Sequence, residues 1–279
     1  MLEIGAYHKM IIDRDMSPGL YLRNEDDDEV LLPGKYAPEN FQLEDPIDVF
    51  VYLDNEERPV ATTLKPFIEK NGFAFLRCTD VTGIGAFVDW GIDKQLLVPY
   101  SNQMTPMKPG QSYVVYMYLD EKSGRLVGST KTMQFTDNEE IEVEKFEKVD
   151  LLVSHYSDHG ANVIINGKHM GLVYKDSIFE DLRVGDRLPG YIKWVREDKK
   201  IDVILQPEGY KGIEPNTKYI MEELQANGGK LMLSDKSSPE EIQAQLGISK
   251  KSFKKAIGVL YKERHIVIEK DSIHLISNN

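Results

Sequence analysis

Aromatic and basic side chains are interleaved in the stretch between residues 77 and 131. The rings are Phe87, Trp90 and Tyr100, and the cations are Arg77, Lys94, Arg125 and Lys131. Aromatic rings stack on unpaired bases, while guanidinium and ammonium groups contact phosphates along the strand. The stretch therefore predicts a surface for single-stranded nucleic acid. The sequence also allows a second interpretation, in which Phe87 and Trp90 belong to a hydrophobic core.

Two weaker candidates lie outside this stretch. Tyr174 and Lys175 place a ring beside a cation, although an ordinary tyrosine at the end of a strand would look the same. Tyr21 lies in residues 1–64, which contain 5 Lys and Arg against 15 Asp and Glu. Because each phosphate contact there would work against a negative field, a structural role is the stronger interpretation for Tyr21.

A further set of cations lies near the carboxyl end of the chain. In a helix that begins after Ser249, one side would be apolar and the other side would carry lysines. These lysines are Lys251, Lys254, Lys255 and Lys262. Such a face either contacts phosphates or keeps the helix soluble, and the sequence leaves both interpretations open. The face has no Arg, Asn or Gln, so any contact is expected with the nucleic-acid backbone rather than with base edges.

A threefold repeat determines where most of these residues lie. Residues 60–66, 127–133 and 201–207 are similar to one another, and their first residues are 67 and 74 positions apart. This period exceeds the 20 to 50 residues of solenoid repeats, so each copy is long enough to form a small domain with its own core. Upstream of each segment, a charged turn, a short apolar run and a pair that begins with glycine recur in the same order.

Each copy is predicted to contain five short strands. Residues 113–118, Tyr-Val-Val-Tyr-Met-Tyr, show the β-branched and aromatic alternation that favours a strand over a helix. Five antiparallel strands in about 70 residues is the size of a small Greek-key barrel, which removes most sheet edges by closure. We therefore predict three tandem barrels at residues 1–64, 65–136 and 137–211.

The sequence pattern changes after the third copy. Residues 215–227 are predicted to form a helix, and Ser238 begins a second one with a capping box and with Pro239 in its first turn. Ser249 can cap a third helix that runs to about residue 263, and two short strands follow. This is the order of elements in a winged helix-turn-helix. The predicted fold is mainly β, with a C-terminal α/β module at residues 212–279.

Composition excludes several classes of protein. The chain of 279 residues is 41% hydrophobic, carries a net charge of −12, and has no apolar run near the length of about 18 residues that a membrane helix needs. We expect a cytoplasmic protein with no membrane partner. Cys78 is the only cysteine, so neither a disulfide framework nor a cysteine-based zinc site is predicted. No metal or other cofactor is expected, and no nucleophile signature indicates an enzyme.

A family resemblance follows from motifs in the second copy. Residues 83–91, Gly-Ile-Gly-Ala-Phe-Val-Asp-Trp-Gly, followed by Leu97-Val98, residues 107–111 and the closing strand at 125–129, resemble an S1-type RNA-binding module, which is an OB-fold. Three such modules followed by a winged helix resemble the bacterial conserved virulence factor B family over nearly the whole chain. The resemblance implies an RNA-binding regulator of gene expression rather than an enzyme.

The resemblance also implies which residues would stack on bases. In the S1 pattern an aromatic residue on the second strand stacks on a base, and that position holds Tyr21, Phe87 and Asn162 in the three copies. A histidine after the third strand completes the pattern, and its position holds Pro33, Pro99 and Tyr174. No copy has the full aromatic set, and the second copy, residues 65–136, is the best candidate.

Three functions remain open from the sequence. The first is a post-transcriptional regulator that binds single-stranded RNA by stacking and by phosphate contacts. The second is a winged-helix DNA-binding transcription regulator, with the barrels as partner-binding modules. The third is a protein-interaction scaffold on a ribosome or a ribonuclease, with the acidic residues 1–64 as its docking face. We predict the first, because rings and cations coincide in the second copy.

Overall fold

A computed structural model of the protein describes residues 2–178, 181–206 and 215–276. The chain divides into two compact units, Met1–Leu205 and Gln206–Asn279. Three five-stranded sheets follow one another in the described part of the first unit, and three helices with a small sheet form the second. In the described ranges, every helix is too short or too polar to cross a membrane.

The first sheet is a closed barrel. Its strands are β1 (Ala6–Met16), β2 (Gly19–Arg23), β3 (Glu29–Pro33), β4 (Pro46–Leu53) and β5 (Pro59–Thr62). They follow the order β1-β2-β3-β5-β4, with β1 and β4 also paired. The pairing of β3 with β5 is parallel, with Leu31 opposite Val60. Its core consists of side chains such as Met10, Leu22 and Val51, which point inward from alternate positions.

The second sheet has the same strand order but lacks one ladder. Its strands are β6 (Phe73–Thr82), β7 (Gly85–Asp89), β8 (Leu96–Pro99), β9 (Ser112–Asp120) and β10 (Arg125–Ser129). The order β10-β9-β6-β7-β8 leaves β8 and β10 at the two edges. These edges still approach each other, because a Cβ on Gly128 would lie 2.8 Å from Val98 Cγ2. The second copy is thus a half-barrel rather than the closed barrel predicted from the sequence.

The third sheet closes again. Its strands are β11 (Lys148–Ser157), β12 (Gly160–Ile165), β13 (His169–Tyr174), β14 (Arg187–Val195) and β15 (Ile201–Ile204). Parallel pairing of β13 with β15 places Gly171 opposite Ile201 and Val173 opposite Val203. This ladder has three residue pairs, whereas the first barrel has one.

The three copies repeat in register as well as in order. The opening strand of each copy has one irregularity, between Ile12 and Arg14, Cys78 and Asp80, and Val153 and His155. The residue that follows it pairs with Tyr21, Phe87 and Asn162, respectively. These three residues therefore occupy equivalent positions, as the sequence predicted. The fold class is confirmed: the chain is mainly β with OB-fold sheets and a C-terminal winged helix.

Neighbouring copies are packed against each other within the first unit. Phe50 on the outer face of β4 lies in one hydrophobic cluster with Trp90 of the second copy. Phe73 and Val114, on the outer face of β6 and β9, pack with Leu152 and Ile164 of the third copy. The outer face of the fourth strand of each of these two copies is thus covered by the copy that follows.

The second unit contains the predicted winged-helix elements. They are α1 (Pro215–Ala226), β16 (Lys230–Leu231), α2 (Pro239–Leu246), α3 (Lys250–Lys262), β17 (Ile266–Ile268) and β18 (Ile273–Leu275). Ser238 caps α2 by accepting from Glu241 N, and the Glu241 carboxylate accepts from Ser238 N in return. Phe253 and Leu260 of α3 pack on Leu224 of α1. The predicted boundaries at 64 and 136 remain predictions, and the boundary at 211 lies outside the described residues.

Candidate nucleic-acid interface

The outer face of β6, β7 and β8 presents Phe87. Its neighbours Ala86 and Val88 are buried in the core, so the alternation of the strand directs Phe87 outward, where it is half-buried. In register, Phe87 lies between Leu97 on β8 and Asp80 on β6. One side of the ring thus adjoins an apolar side chain, and the other side adjoins a carboxylate that would oppose a nearby phosphate.

Tyr100 lies just beyond the end of β8 and is 50% exposed. Its hydroxyl donates to the carbonyl of Thr82 at 2.6 Å, which fixes the ring without covering it. The neighbouring Ile84 is 63% exposed. A ring already held in place loses less side-chain entropy when a base stacks on it, so Tyr100 is suited to stacking.

Trp90 is a core residue rather than part of an open surface. Its side chain is 2% exposed, and its ring meets Phe50 of the first copy edge to face, with centroids 5.8 Å apart. The indole N–H donates to the carbonyl of Lys94. Because the first copy covers the ring, Trp90 cannot offer a face to a base in this structure. The core interpretation left open by the sequence is the one that applies.

Two of the predicted phosphate-contacting cations are engaged by the first copy. Lys94 Nζ donates to the carbonyls of Leu53 and Asp54, both at 2.8 Å. Burial lowers the pKa of Lys94, while the nearby Asp54 carboxylate acts in the opposite direction. Lys94 therefore joins two copies instead of pointing into solvent. Arg125 forms an ion pair with Glu57 and remains 55% exposed, so its guanidinium is still accessible.

A groove of ≈ 240 Å³ lies between the two copies at this point. The turn between β4 and β5 forms one wall, with Asn55 and Glu57, and Phe87, Leu97 and Arg125 form the other. Glu57 places its carboxylate where a phosphate would meet Arg125. The acidic first copy thus narrows the approach to the predicted stacking surface.

The other two cations of the second copy lie on its outer surface. Arg77 is exposed, shares the outward side of the sheet with Phe87 and lies opposite Asp89 in the register; its side chain forms no hydrogen bond or ion pair within residues 2–178, 181–206 and 215–276. Lys131 donates to the carbonyl of Ser101 at 2.6 Å, which holds it beside Tyr100. The structure therefore leaves Phe87, Tyr100, Arg77 and Lys131 on the surface of the second copy, whereas Trp90 and Lys94 are engaged by the first copy.

In the third copy the equivalent face is a groove of ≈ 670 Å³. Tyr174 lines it, and Arg196 donates to the Tyr174 hydroxyl while pairing with Asp202 at 3.0 Å. Asn162 also lines the groove, and its side-chain nitrogen is buried without a hydrogen-bond partner in the described part of the chain. Lys175 is exposed in the turn that follows Tyr174.

The first copy covers its own ring. The Arg14 guanidinium lies 5.0 Å from the centroid of the Tyr21 ring and also pairs with the carboxylates of Asp13 and Glu29. Tyr21 is half-buried, with one face under this cation. The arrangement agrees with the structural role favoured by the local negative charge.

The lysine face predicted on α3 is present in the second unit. Phe253, Ala256, Ile257 and Leu260 are buried, while Lys251, Lys254, Lys255 and Lys262 are exposed on the other side of the helix.

The sequence did not single out Phe146 and Trp194 of the third copy, which are 57% and 51% exposed. Among the described residues, no group of three or more His, Cys, Asp or Glu side chains could hold a metal ion.

Two protein-family models match the chain. An S1 domain matches residues 4–64, and a CvfB-like winged helix domain matches residues 218–275. Both are nucleic-acid-binding rather than catalytic types of domain. The S1 match falls on the acidic first copy, although the sequence identified residues 65–136 as the best binding candidate.

Relatives cover most of the chain. It is 27% identical over 277 residues to the uncharacterized protein YitL of Bacillus subtilis, covering 95% of this chain and 91% of that protein. Conserved virulence factor B of Staphylococcus aureus is 26% identical over 266 residues, covering 90% and 82%. A solved multidomain protein with nucleic acid binding domains from Streptococcus pneumoniae is 24% identical, with a TM-score of 0.44 and 98% of each chain covered. With an S1 domain and a CvfB-like winged helix in the predicted order, the chain is similar to the conserved virulence factor B proteins over most of its length.

Proposed function

We propose that the chain binds single-stranded RNA and acts as a post-transcriptional regulator of bacterial gene expression in the cytoplasm, without catalysing a reaction. The observation that carries the proposal is the outer face of the second copy. There the half-buried Phe87 and the exposed Tyr100 lie on one surface with Arg77, whose side chain forms no hydrogen bond or ion pair among the described residues. Aromatic rings beside cations are the composition of sites that bind single strands.

The proposed surface binds a strand by two kinds of contact. Each base that stacks on a ring contributes about 1 to 3 kcal/mol, and every base has a π-face, so the contact tolerates different sequences. Arg77 and Lys131 approach from opposite ends of this surface and contact phosphates. Asp80 lies opposite Phe87 in the register and Glu57 pairs with Arg125, so both carboxylates oppose a phosphate beside the Phe87 ring. We therefore expect moderate affinity that falls steeply with salt.

The winged helix adds contacts to phosphates. Lys251, Lys254 and Lys262 are exposed, and none has an ion-pair partner within the described ranges. For single strands, the slope of log affinity against log salt is about −0.7 per phosphate contact. Replacing these three lysines by Gln is expected to make the slope shallower by about 2 if each lysine contacts one phosphate. An unchanged slope would indicate that the lysine face of α3 keeps the helix soluble and does not contact phosphates.

The decisive experiment is a titration of the whole chain at several salt concentrations. Fluorescence anisotropy would compare single-stranded RNA, single-stranded DNA and duplex DNA of equal length. Phe87→Ala is expected to weaken RNA binding by about 1 to 3 kcal/mol. Tyr21→Ala is the matched control, because Arg14 already covers that ring, and it is expected to change the affinity less than twofold.

Other outcomes would support the other functions. The lysine face of α3 favours a DNA-binding regulator as the second candidate, because the corresponding helix enters the major groove in helix-turn-helix proteins. Tighter binding to duplex DNA than to RNA would replace our proposal with that one. Failure to bind any nucleic acid at moderate salt would favour a scaffold on a ribosome or ribonuclease that uses the acidic residues 1–64.

A further inference from the structure

Two exposed aromatic rings share one lysine on the surface of the third copy. Trp194 is 51% exposed and Phe146 is 57% exposed. Lys145 Nζ lies 4.4 Å from the centroid of the Trp194 ring and 4.6 Å from that of Phe146. Adjacent exposed aromatic rings often mark a surface that binds another molecule. A cation that lies against both rings is attracted to the face of each.

A bulge in β14 creates this arrangement. Ile192 pairs with Val203 and Trp194 pairs with Asp202, so Lys193 is an extra residue on this strand. In a regular strand, Tyr191 and Trp194 would point to opposite sides of the sheet, because they are three positions apart and side chains alternate. With the bulge, both lie on the outer side of the barrel, and neither lines the groove that contains Asn162 and Tyr174.

The backbone of Phe146 adopts a conformation that is unfavourable for this residue type. Its φ is +71°, and its N–H donates to the carbonyl of Ile192 at 2.7 Å. The same turn opens the first two copies with Gly5 and Asn71, at φ of +86° and +64°, and their N–H groups bond to the equivalent strand. Glycine and asparagine adopt this region readily, whereas a bulky residue is strained there. Since the Phe146 ring is exposed, burial does not offset the strain, which suggests a role in binding.

The equivalent face of each earlier copy is an interface. Tyr7 packs on Phe50 with centroids 5.3 Å apart, and Phe73 packs on Tyr116 at 4.7 Å. In the third copy the corresponding register pair is Lys148 and Tyr191. A lysine thus replaces the aromatic residue that lines the interface between copies. The change disfavours an apolar protein surface as the occupant and favours an anionic one.

The charges around the rings agree with an anionic ligand. Lys148 and Lys193 form no ion pair within residues 2–178, 181–206 and 215–276. The Glu147 carboxylate accepts from Glu144 N at 2.8 Å, which turns it toward its own loop. Asp202 is paired with Arg196, so the opposing charges that remain are the exposed Glu144 and Asp150, the latter two residues from Lys148 on β11.

We propose that Phe146, Tyr191 and Trp194, together with Lys145, Lys148 and Lys193, form a second site for single-stranded RNA. Bases stack on Trp194 and Phe146, and phosphates contact the lysines. This site supplies on another face the stacking that the third copy lacks at Asn162. The inference rests on the proposed function and adds a binding surface on the third copy to it.

The two tryptophans allow a direct test on the whole chain. Trp90 is 2% exposed, so iodide quenching of the intrinsic fluorescence reports mainly on Trp194. Single-stranded RNA is expected to reduce that quenching. Trp194→Ala is expected to weaken RNA binding roughly tenfold, in line with the loss of one stacked base. Phe67→Ala is the control, because Phe67 is a 65% exposed ring outside the proposed site, and it is expected to leave the affinity unchanged.

Phe146→Gly separates a binding role from a structural one. Glycine relieves the strain at φ of +71°, so the variant is expected to melt at a higher temperature while it binds RNA several-fold more weakly. Unchanged affinity for both Trp194→Ala and Phe146→Gly would overturn the inference. If Phe87→Ala still weakened binding in that case, the proposed function would stand. If polyglutamate protected Trp194 from iodide and RNA did not, the surface would bind an acidic protein segment instead.

Discussion

The second and third copies share a frame but present their exposed rings on different faces. In the second copy, Phe87 and Tyr100 lie on the outer side of β7 and at the end of β8. In the third copy, Asn162 takes the place of Phe87, and the exposed Trp194 lies on β14. The inward positions are constrained by packing in every copy, whereas the outward positions are free to change. A repeated fold therefore does not imply a repeated binding surface.

The shared frame is expected to respond in the same way in both copies. Gly85 and Gly160 begin equivalent strands, and a Cβ there would lie 2.4 Å from the carbonyl oxygen of Val98 and 2.0 Å from that of Val173. A carbonyl in a sheet cannot move aside, so Gly85→Ala and Gly160→Ala are each expected to reduce the free energy of unfolding by about 2 to 3 kcal/mol. Chemical denaturation of the whole chain measures both changes.

Gly83→Ala is the matched control for these two substitutions. Gly83 lies in the same turn as Gly85, and nothing lies within 4 Å of a Cβ placed on it. The Gly83→Ala variant is expected to differ from the unsubstituted chain by less than about 0.5 kcal/mol in free energy of unfolding. A large loss at Gly85 with no loss at Gly160 would show that the two copies do not share this constraint.

Local patterns were sufficient to predict the frame. The alternation in residues 113–118 and the threefold recurrence placed the strands, and they aligned Tyr21, Phe87 and Asn162 correctly. Alternation and capping depend on residues close together in the sequence, so one sequence is enough to read them. The capping box at Ser238 was predictable for the same reason.

The surface was harder to predict, because it depends on what another copy covers. Trp90 and Lys94 are residue types that bind nucleic acid in other sites, yet in this structure both contact the first copy. Phe50 packs on the Trp90 ring, and the carbonyls of Leu53 and Asp54 accept hydrogen bonds from Lys94. These contacts join residues about forty positions apart in sequence and are invisible to local pattern. Trp194 was missed for another reason: one bulged residue changes which side of the strand faces solvent.

Lys94 distinguishes a structural cation from a binding one in the second copy. Lys94→Ala leaves the carbonyls of Leu53 and Asp54 without their donor, so it is expected to cost about 1.5 to 3 kcal/mol of unfolding free energy. Lys108→Ala, an exposed lysine, is expected to cost less than about 0.5 kcal/mol. Denaturation and RNA titration would be run on both variants. Weaker RNA binding by Lys94→Ala without loss of stability would restore the phosphate-contacting role predicted from the sequence.

Substitution of Glu57 is expected to produce the smallest change in RNA affinity. It tests whether the first copy limits RNA binding by the second. Its carboxylate pairs with Arg125 at the edge of the groove that Phe87 lines. Glu57→Gln keeps the shape of the side chain and removes the charge, so Arg125 becomes available to a phosphate. Since exposed ion pairs contribute at most about 1 kcal/mol, the affinity for single-stranded RNA is expected to rise about two- to fivefold, mostly at low salt.

Glu56→Gln provides the comparison for that variant, because it removes an equal charge from the same turn. Glu56 pairs with Arg58 at 2.9 Å and does not line the groove. If long-range repulsion by the acidic first copy governed binding, both variants would raise the RNA affinity equally. A rise confined to Glu57→Gln would mean that this carboxylate competes directly with phosphate for Arg125. The first copy would then limit access to the second through one contact rather than through its net charge.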